Sequence, residues 1–113
     1  FAMAMDQSTG FDADLQRARV KFYQTFQAHV AREEGCCQQL PADDPIRIQG
    51  AADMQVLIRD YSAQVAAWPP QRVKAEFPAY RRAVLMLQAR LRRRLDWEER
   101  HLHPRLSAFS RAA

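Results

Sequence analysis

Histidine and glutamate occur at the four-residue spacing that places two side chains on one face of a helix. His29 and Glu33 fall in the middle of an apolar stripe, and Arg94 and Glu98 flank another. A buried carboxylate without partners is costly, so these side chains must pair with one another, with water or with a metal ion. If the two helices run parallel, both pairs lie about two-thirds of the way along and reach similar heights. We therefore predict one buried polar layer of His29, Glu33, Arg94 and Glu98.

This layer has two chemical interpretations. In the first, Arg94 pairs with Glu98 or Glu33, and the layer is a salt-bridge network that sets the register of the helices. In the second, a metal ion is bound by His29, Glu33, Cys36 and Glu98. The i, i+4, i+7 spacing on the first helix suits metal ligands. Because Arg94 places a positive charge where the cation would lie, we prefer the first interpretation, with no metal. In a third reading these side chains are partly exposed and unrelated.

Two short stretches resemble the H-x-x-x-E-E…L-x-P signature of hemerythrin-like domains. Residues 29–41 begin H-x-x-x-E-E and end in Leu-Pro, and residues 94–104 read R-x-x-x-E-E-x-x-L-H-P. In the second stretch, Arg94 stands where the family has an iron-binding histidine. The resemblance implies a four-helix bundle that, in intact members, holds a di-iron site sensing oxygen or redox state. That site needs more histidines than the three of this chain, so the resemblance implies a degenerate member that has lost its metal, with an iron sensor as the alternative.

A second candidate surface lies on the arginine-rich third helix. On a helical wheel, arginines with a methionine and a tryptophan beside them fall opposite the apolar stripe. This face comprises Arg82, Met86, Arg93, Trp97 and Arg100. Tryptophan and arginine dominate the energetics of protein interfaces, so we predict a surface that binds a protein partner or a second copy of the chain. A solvated charged face, or a surface that binds nucleic acid or an anionic nucleotide, are the other interpretations.

The remaining chemistry-bearing residues predict no catalytic site. Cys36 and Cys37 are adjacent, so they do not form a normal structural disulfide, and small buried thiols are expected. His101 and His103 point in different directions on the wheel and are expected to be exposed near a helix end. The sequence contains no glycine-rich phosphate loop, no zinc pattern of paired cysteines and no serine–histidine–aspartate set. We therefore predict that the protein is not an enzyme.

The elements that must position these side chains are helices, because apolar residues recur in steps of three and four throughout. A first helix is predicted to begin after residues 8–10 and to stop at Pro41, a second to run from about residue 47 to Trp68, and a short turn of helix to occupy residues 71–76. A third is predicted from Pro78 to about residue 107, kinked or ended by Pro104. Its predicted inner stripe is Phe77, Tyr80, Val84, Leu87, Leu91, Leu95, Leu102 and Leu106. The fold prediction is all-α, an up-down bundle of three or four helices.

Composition sets the class of protein. The 113 residues include 17 Lys+Arg and 13 Asp+Glu, and 48% are hydrophobic, which suits one globular domain. Residues 1–4 look like a cloning scar, and residues 5–113 form the predicted domain. The excess of positive charge lies in residues 78–113, with nine arginines against three carboxylates. No apolar run approaches the ~20 residues of a membrane span, and no signal pattern is present, so a cytoplasmic location is expected.

These observations predict a small, non-catalytic regulatory or adaptor bundle that acts through helix-face contacts. A hemerythrin-like iron sensor is the first alternative, and nucleic-acid or nucleotide binding through the third helix is the second.

Overall fold

The computed structural model describes residues 12–112, and this part of the chain is almost entirely helical. In chain order the elements are α1 (Ala13–Cys37), α2 (Pro45–Ala67), α3 (Pro70–Ala75), α4 (Phe77–Trp97), a π-helical turn (Glu98–Leu102) and α5 (His103–Ala112). The prediction of an all-α bundle is confirmed. The predicted scar at residues 1–4 lies outside the described residues. Within residues 12–112, no helix combines the length and the apolarity needed to cross a membrane.

Aspartates and prolines define where the first two long helices begin. The Asp12 side chain accepts a hydrogen bond from the Leu15 amide at 2.8 Å, and the Asp44 side chain accepts one from the Ile46 amide at 2.9 Å. Both are N-caps that satisfy an amide left free by the first helical turn. Pro45 occupies the first turn of α2, where its missing N–H costs nothing, so α2 begins two residues earlier than predicted.

The third long helix does not end at Pro104 but changes its winding just before it. The π turn over Glu98–Leu102 includes a bond from the His103 amide to the Glu98 carbonyl, five residues back. Proline lacks an amide hydrogen and its ring crowds the carbonyl four residues earlier, so a regular α-helix would be strained here. The wider turn accommodates Pro104 and lets the helix continue as α5.

The three long helices run up, down and up, and they pack around three apolar clusters. At one end, Leu15 of α1 packs with Val84 of α4, near the start of both helices, so α1 and α4 are parallel. The middle cluster consists of Phe26, Met54, Leu57, Tyr61 and Leu87. The third comprises Cys37, Leu40 and Leu102. The bundle is elongated, 54 × 22 × 18 Å, as expected for long helices around a narrow core.

The predicted inner stripe of the third helix is wrong at Leu95. This side chain is 45% exposed, whereas Arg94, Glu98 and Leu102 are buried. Past Leu91 the interior positions of the helix are therefore occupied by charged residues for two successive turns. The polar layer replaces apolar core at this height of the bundle.

Candidate functional site: a buried layer of carboxylates, histidines and arginine

The structure brings the four residues of the predicted layer together. His29 and Glu33 come from α1, Arg94 from α4 and Glu98 from the first position of the π turn. The Nε2 atom of His29 lies 3.1 Å from Oε1 of Glu98, and Nε of Arg94 donates to Oε2 of Glu98 at 2.8 Å. Glu98 is fully buried. Both of its carboxylate oxygens therefore have a partner, as burial of a charge requires.

Glu33 is buried in the same layer, but its carboxylate is hydrogen-bonded less completely than that of Glu98. Its Oε1 atom has no hydrogen-bond partner among residues 12–112. The Nε2 atom of His103 lies 3.7 Å from this oxygen, beyond hydrogen-bond distance. Burial raises the pKa of Glu33 above its ordinary value of 4.5, and the neighbouring Glu98 carboxylate raises it further. The charges of His29, His103 and Arg94 oppose that rise. Glu33 therefore takes a proton more readily than an ordinary glutamate does.

Arg94 is held by contacts on three sides. Besides Glu98, it donates through Nη1 to the Gly50 carbonyl of α2 at 3.0 Å, and its guanidinium lies 4.7 Å from the ring centre of Trp97. Gly50 permits this close approach, since a Cβ atom there would lie only 3.0 Å from Cη2 of Trp97. These contacts join α2 and α4 and orient the Glu98 carboxylate from one side.

His103 belongs to this neighbourhood, and sequence reasoning missed it. Its expected position was an exposed helix end, and 53% of its side chain is indeed exposed. The 3.7 Å approach of its ring to Glu33 nevertheless places it at the edge of the layer. A regular 100° helical wheel does not apply across the π turn. The signal that could have found it was Pro104, which makes a local change of winding necessary.

The structure does not bring Cys36 together with the other three residues of the potential metal-ligand set. The group whose ligating atoms all lie within 4.8 Å of one another consists of His29, Glu33 and Glu98, without a cysteine. Cys37 is the buried thiol, because a step of four from Glu33 stays on the interior face better than a step of three. Burial, followed by the Glu33 charge, raises the pKa of Cys37, so this side chain is a neutral thiol that fills core space.

The structure leaves four of the five residues of the predicted partner surface exposed and turns the fifth, Trp97, inward. Arg82, Met86, Arg93 and Arg100 are exposed, and Met86 is 72% exposed. Trp97 does not share that outward face: it is half-buried and packs against the cluster that contains Leu102. The reason is Gly50, because the missing side chain on α2 leaves room for the indole. The face that remains is a row of arginines around one methionine.

The chemistry of the layer can be compared with a metal site. One imidazole nitrogen and two carboxylates suit a single divalent cation such as Fe²⁺, Mn²⁺ or Zn²⁺, and the unpaired oxygen of Glu33 is a donor without another use. Ligands of a tetrahedral ion lie roughly 3.5 Å apart, so a contraction of about an ångström would complete the site. A di-iron centre does not fit, because Arg94 and its pairing with Glu98 occupy one side of the layer.

No protein-family model, curated protein or solved structure matches this chain. The resemblance to hemerythrin-like domains therefore stays a prediction carried by the two sequence stretches. The geometry of the layer is the observation on which a functional proposal can be built.

Proposed function

We propose that this protein is a non-catalytic regulatory bundle that binds one divalent cation, with iron as the first candidate, through His29, Glu33 and Glu98. The observation that carries the proposal is the convergence of three ligating atoms within 4.8 Å, one of them on a buried carboxylate with an oxygen that has no hydrogen bond among the described residues. An unsatisfied buried acceptor is rare and costly, and a cation would satisfy it. His103 is the nearest further donor.

Arg94 is compatible with such an ion because its hydrogen bonds go to one oxygen of Glu98 and to Gly50, which leaves the other Glu98 oxygen for the ion. It donates to Oε2 of Glu98 and to the Gly50 carbonyl, whereas His29 approaches Oε1 of Glu98 most closely. In this arrangement Arg94 would hold the carboxylate in place while Oε1 turned to the metal. Residues that orient metal ligands in this way commonly affect affinity.

The charge of the layer also favours a bound cation. Two carboxylates and Arg94 sum to −1, a charge that a protonated histidine, a protonated Glu33 or a bound cation would neutralise. The raised pKa of Glu33 has the same origin, namely burial and the nearby Glu98 carboxylate. A metal and a proton would therefore compete for Glu33, and cation binding should release protons and strengthen with rising pH.

The alternative is a layer that only sets helix register, as expected on sequence grounds. Metal binding separates the two. Protein purified without chelator should be analysed for metal, and titrated with Zn²⁺ and Mn²⁺, and with Fe²⁺ in the absence of oxygen. We expect stoichiometric binding of at least one of these ions, and a loss of more than about 100-fold in affinity in H29A and E98Q, since even outer partners of ligands contribute about 10–100-fold.

Matched controls lie next to these residues in the sequence. E99Q removes an exposed carboxylate beside Glu98, and H101A removes an exposed histidine two residues from His103. Both should bind like the wild type. Circular dichroism at the titration temperature establishes that H29A and E98Q are folded. Equal affinity in all four variants, or no binding by the folded wild type, would leave the register-setting layer as the better account.

A second candidate function is adaptor activity through the exposed arginine face, and the 72% exposure of Met86 favours it. An exposed methionine among Arg82, Arg93 and Arg100 suits a partner protein with an acidic surface around an apolar contact. Trp97 is removed from this proposal because it packs inward. A second copy of the chain is the other occupant, and nucleic acid is a competing one.

Variants M86D and R93E test this face without touching the layer. Capture of an acidic partner from a lysate of the source organism should be lost in both and retained in R17E, which changes an exposed arginine on α1. Light scattering reports self-association in the same variants. Retention on heparin that falls steeply with salt and with R93E would indicate nucleic acid instead.

A further inference from the structure

A groove of about 360 Å³ lies between α1 and α4 above α2, and it reaches the polar layer at His29 and Arg94. Its walls are mostly apolar: Phe22, Phe26, Met54, Leu57, Leu91 and Leu95. A volume of this size is within the range of small-molecule sites, which are apolar with a few polar groups. The groove also accounts for the 45% exposure of Leu95, whose side chain lines its rim instead of the core.

Gln88 gives the groove a polar group without a partner. This side chain is only 7% exposed, and neither its amide nitrogen nor its amide oxygen has a hydrogen bond among the described residues. Leaving a donor and an acceptor unsatisfied costs more than replacing both with carbon. Gln88 lines the groove, but its amide atoms are covered, so a ligand there satisfies the amide only once the Gln88 side chain turns toward the groove.

The ionic side chains that line the groove all carry positive charge or can acquire it. They are His29, Arg32, Arg92 and Arg94, and no aspartate or glutamate is among the lining residues. Arg94 is hydrogen-bonded to Glu98, whereas Arg32 and Arg92 are exposed and form no ion pair within the described residues. Arg92 follows Gln88 by four residues, so the two side chains project on one face of α4. An amide and a guanidinium side by side are well suited to a carboxylate.

We propose that this groove binds a small apolar monocarboxylate. The apolar body lies against Phe22, Phe26 and Leu91, and the carboxylate accepts hydrogen bonds from Arg92 and from the Gln88 amide, whose side chain turns toward the ligand. Arg32 adds attraction from the opposite wall. The inference is argued from Gln88 and Arg92, which take no part in the layer, whereas the layer residues His29 and Arg94 form the end of the groove.

Calorimetric titration with three probes tests the chemistry. Decanoate, below its micelle-forming concentration, represents a linear aliphatic acid, and 3-phenylpropionate represents an aromatic acid. Decanol has the same apolar chain as decanoate without the charge. We expect one acid to bind at 1:1, and decanol to bind at least about tenfold more weakly than decanoate. Whichever acid binds more tightly shows whether the groove takes an aliphatic or an aromatic carboxylate. Equal binding of decanol, or no binding of either acid, would overturn the proposal.

Variants then locate the site. Q88L should weaken binding of the preferred acid by at least about tenfold while leaving the free protein as stable as the wild type or more stable, because the unsatisfied amide is removed. R92Q should weaken binding similarly, and R93Q, which changes the exposed neighbour that does not line the groove, should not. Unchanged acid binding in Q88L would contradict the assignment. A dimer that light scattering detects and that L95D dissociates would also contradict the assignment, because a second copy of the chain would then fill the groove.

Metal affinity provides a separate readout. Q88L and R92Q should bind the cation of the proposed layer as the wild type does. Failure of the acid to bind therefore leaves the cation proposal untouched, and failure of the cation to bind leaves the groove untouched.

Discussion

Two buried carboxylates near the same end of the bundle, Glu33 and Asp44, have opposite environments. Asp44 is 3% exposed, and both of its carboxylate oxygens have partners. One oxygen accepts a hydrogen bond from the Ile46 amide at the start of α2. The other accepts a hydrogen bond from Nε of Arg105 at 2.8 Å and lies 2.7 Å from Nη2 of Arg105. Glu33 is 6% exposed, with an unpaired oxygen. The hydrogen bond from Arg105 is the main cause that lowers the pKa of Asp44, whereas burial raises the pKa of Glu33.

The contrast separates a structural carboxylate from one that needs another explanation. Asp44 joins the cap of α2 to α5 and stabilises the fold as an anion. Glu33 destabilises the fold as an anion, so its position in the core is not explained by stability. A sequence tends to break local rules at functional sites, and Glu33 is such a break. The variants below, from the largest expected effect to the smallest, test whether this difference is real.

The largest effect is expected for Glu98. Its carboxylate is buried, like those of Glu33 and Asp44, and it pairs with His29 and Arg94. E98A leaves Arg94 buried opposite an empty position and removes the partner of His29. Breaking a buried pair on one side costs about 3–5 kcal/mol, which is to be measured by urea unfolding. The double variant R94M/E98L, in which both charges are absent, should recover much of that loss. Loss below about 1 kcal/mol in E98A would mean that the pair is exposed to water in solution.

The two glycines within the helices test whether the layer is as tightly packed as its contacts indicate. G50A places a Cβ atom 3.0 Å from Trp97 and 3.6 Å from Nη2 of Arg94, so it should displace the layer and cost about 1–3 kcal/mol. G35A meets nothing within 4 Å and should gain about 0.5–1 kcal/mol, as glycine-to-alanine changes in open helix positions do. Equal gains in both variants would show that Trp97 does not lie against Gly50.

The Asp44 side of the comparison is tested by R105M. The pKa of Asp44 is lowered in the folded state, so its contribution is present above the ordinary value of 3.8 and is lost as the pH falls through the folded value. Without Arg105 the melting temperature at pH 7 should fall by less than in E98A, because Arg105 is half-exposed and the cap bond to Ile46 remains. The difference from the wild type should shrink below about pH 3.8. A pH-independent difference would mean that Arg105 acts through packing alone.

The smallest effect is expected for E33Q, and its sign is the informative part. The pKa of Glu33 is raised in the folded state, so its stabilising contribution is complete below the ordinary value of 4.5 and is lost as the pH rises through the folded value. E33Q should therefore match the metal-free wild type in acid and exceed its stability at pH 7, by less than about 1 kcal/mol. E34Q, an exposed neighbour, should show no such crossover. Lower stability of E33Q at neutral pH would indicate that Glu33 is satisfied as an anion.

Most of the fold could be predicted from the sequence because prolines and apolar spacing act locally. Pro41, Pro45 and the pair Pro69-Pro70 separate the helices, and steps of three and four define their inner faces. The approach of Glu98 to His29 could also be predicted, since parallel helices of similar length bring matching heights together. These inferences need only regular helical geometry.

The errors occurred where geometry stops being regular or where a neighbour decides. His103 is exposed as expected, but it follows a π turn, and a 100° wheel therefore does not show its approach to Glu33. Trp97 turns inward only because Gly50, 47 positions earlier in the sequence, leaves space for it. The buried thiol is Cys37, one residue after the predicted Cys36. Leu95 is exposed because Arg94 occupies the buried position in this turn of the helix. Gln88 carries no sequence signal, because what the neighbouring helices place against its amide decides whether the amide has a hydrogen-bond partner.

The most direct test of the central claim is the stability of E33Q against the wild type with and without cation at pH 7. A ligand present at 100 times its dissociation constant stabilises the folded state by about 2.7 kcal/mol, and only the protein that binds it gains. We predict that E33Q unfolds at higher temperature than the wild type in chelator, and at lower temperature in saturating Zn²⁺ or anaerobic Fe²⁺. If the order of the two proteins is the same in both conditions, Glu33 is not a metal ligand and the layer only sets helix register.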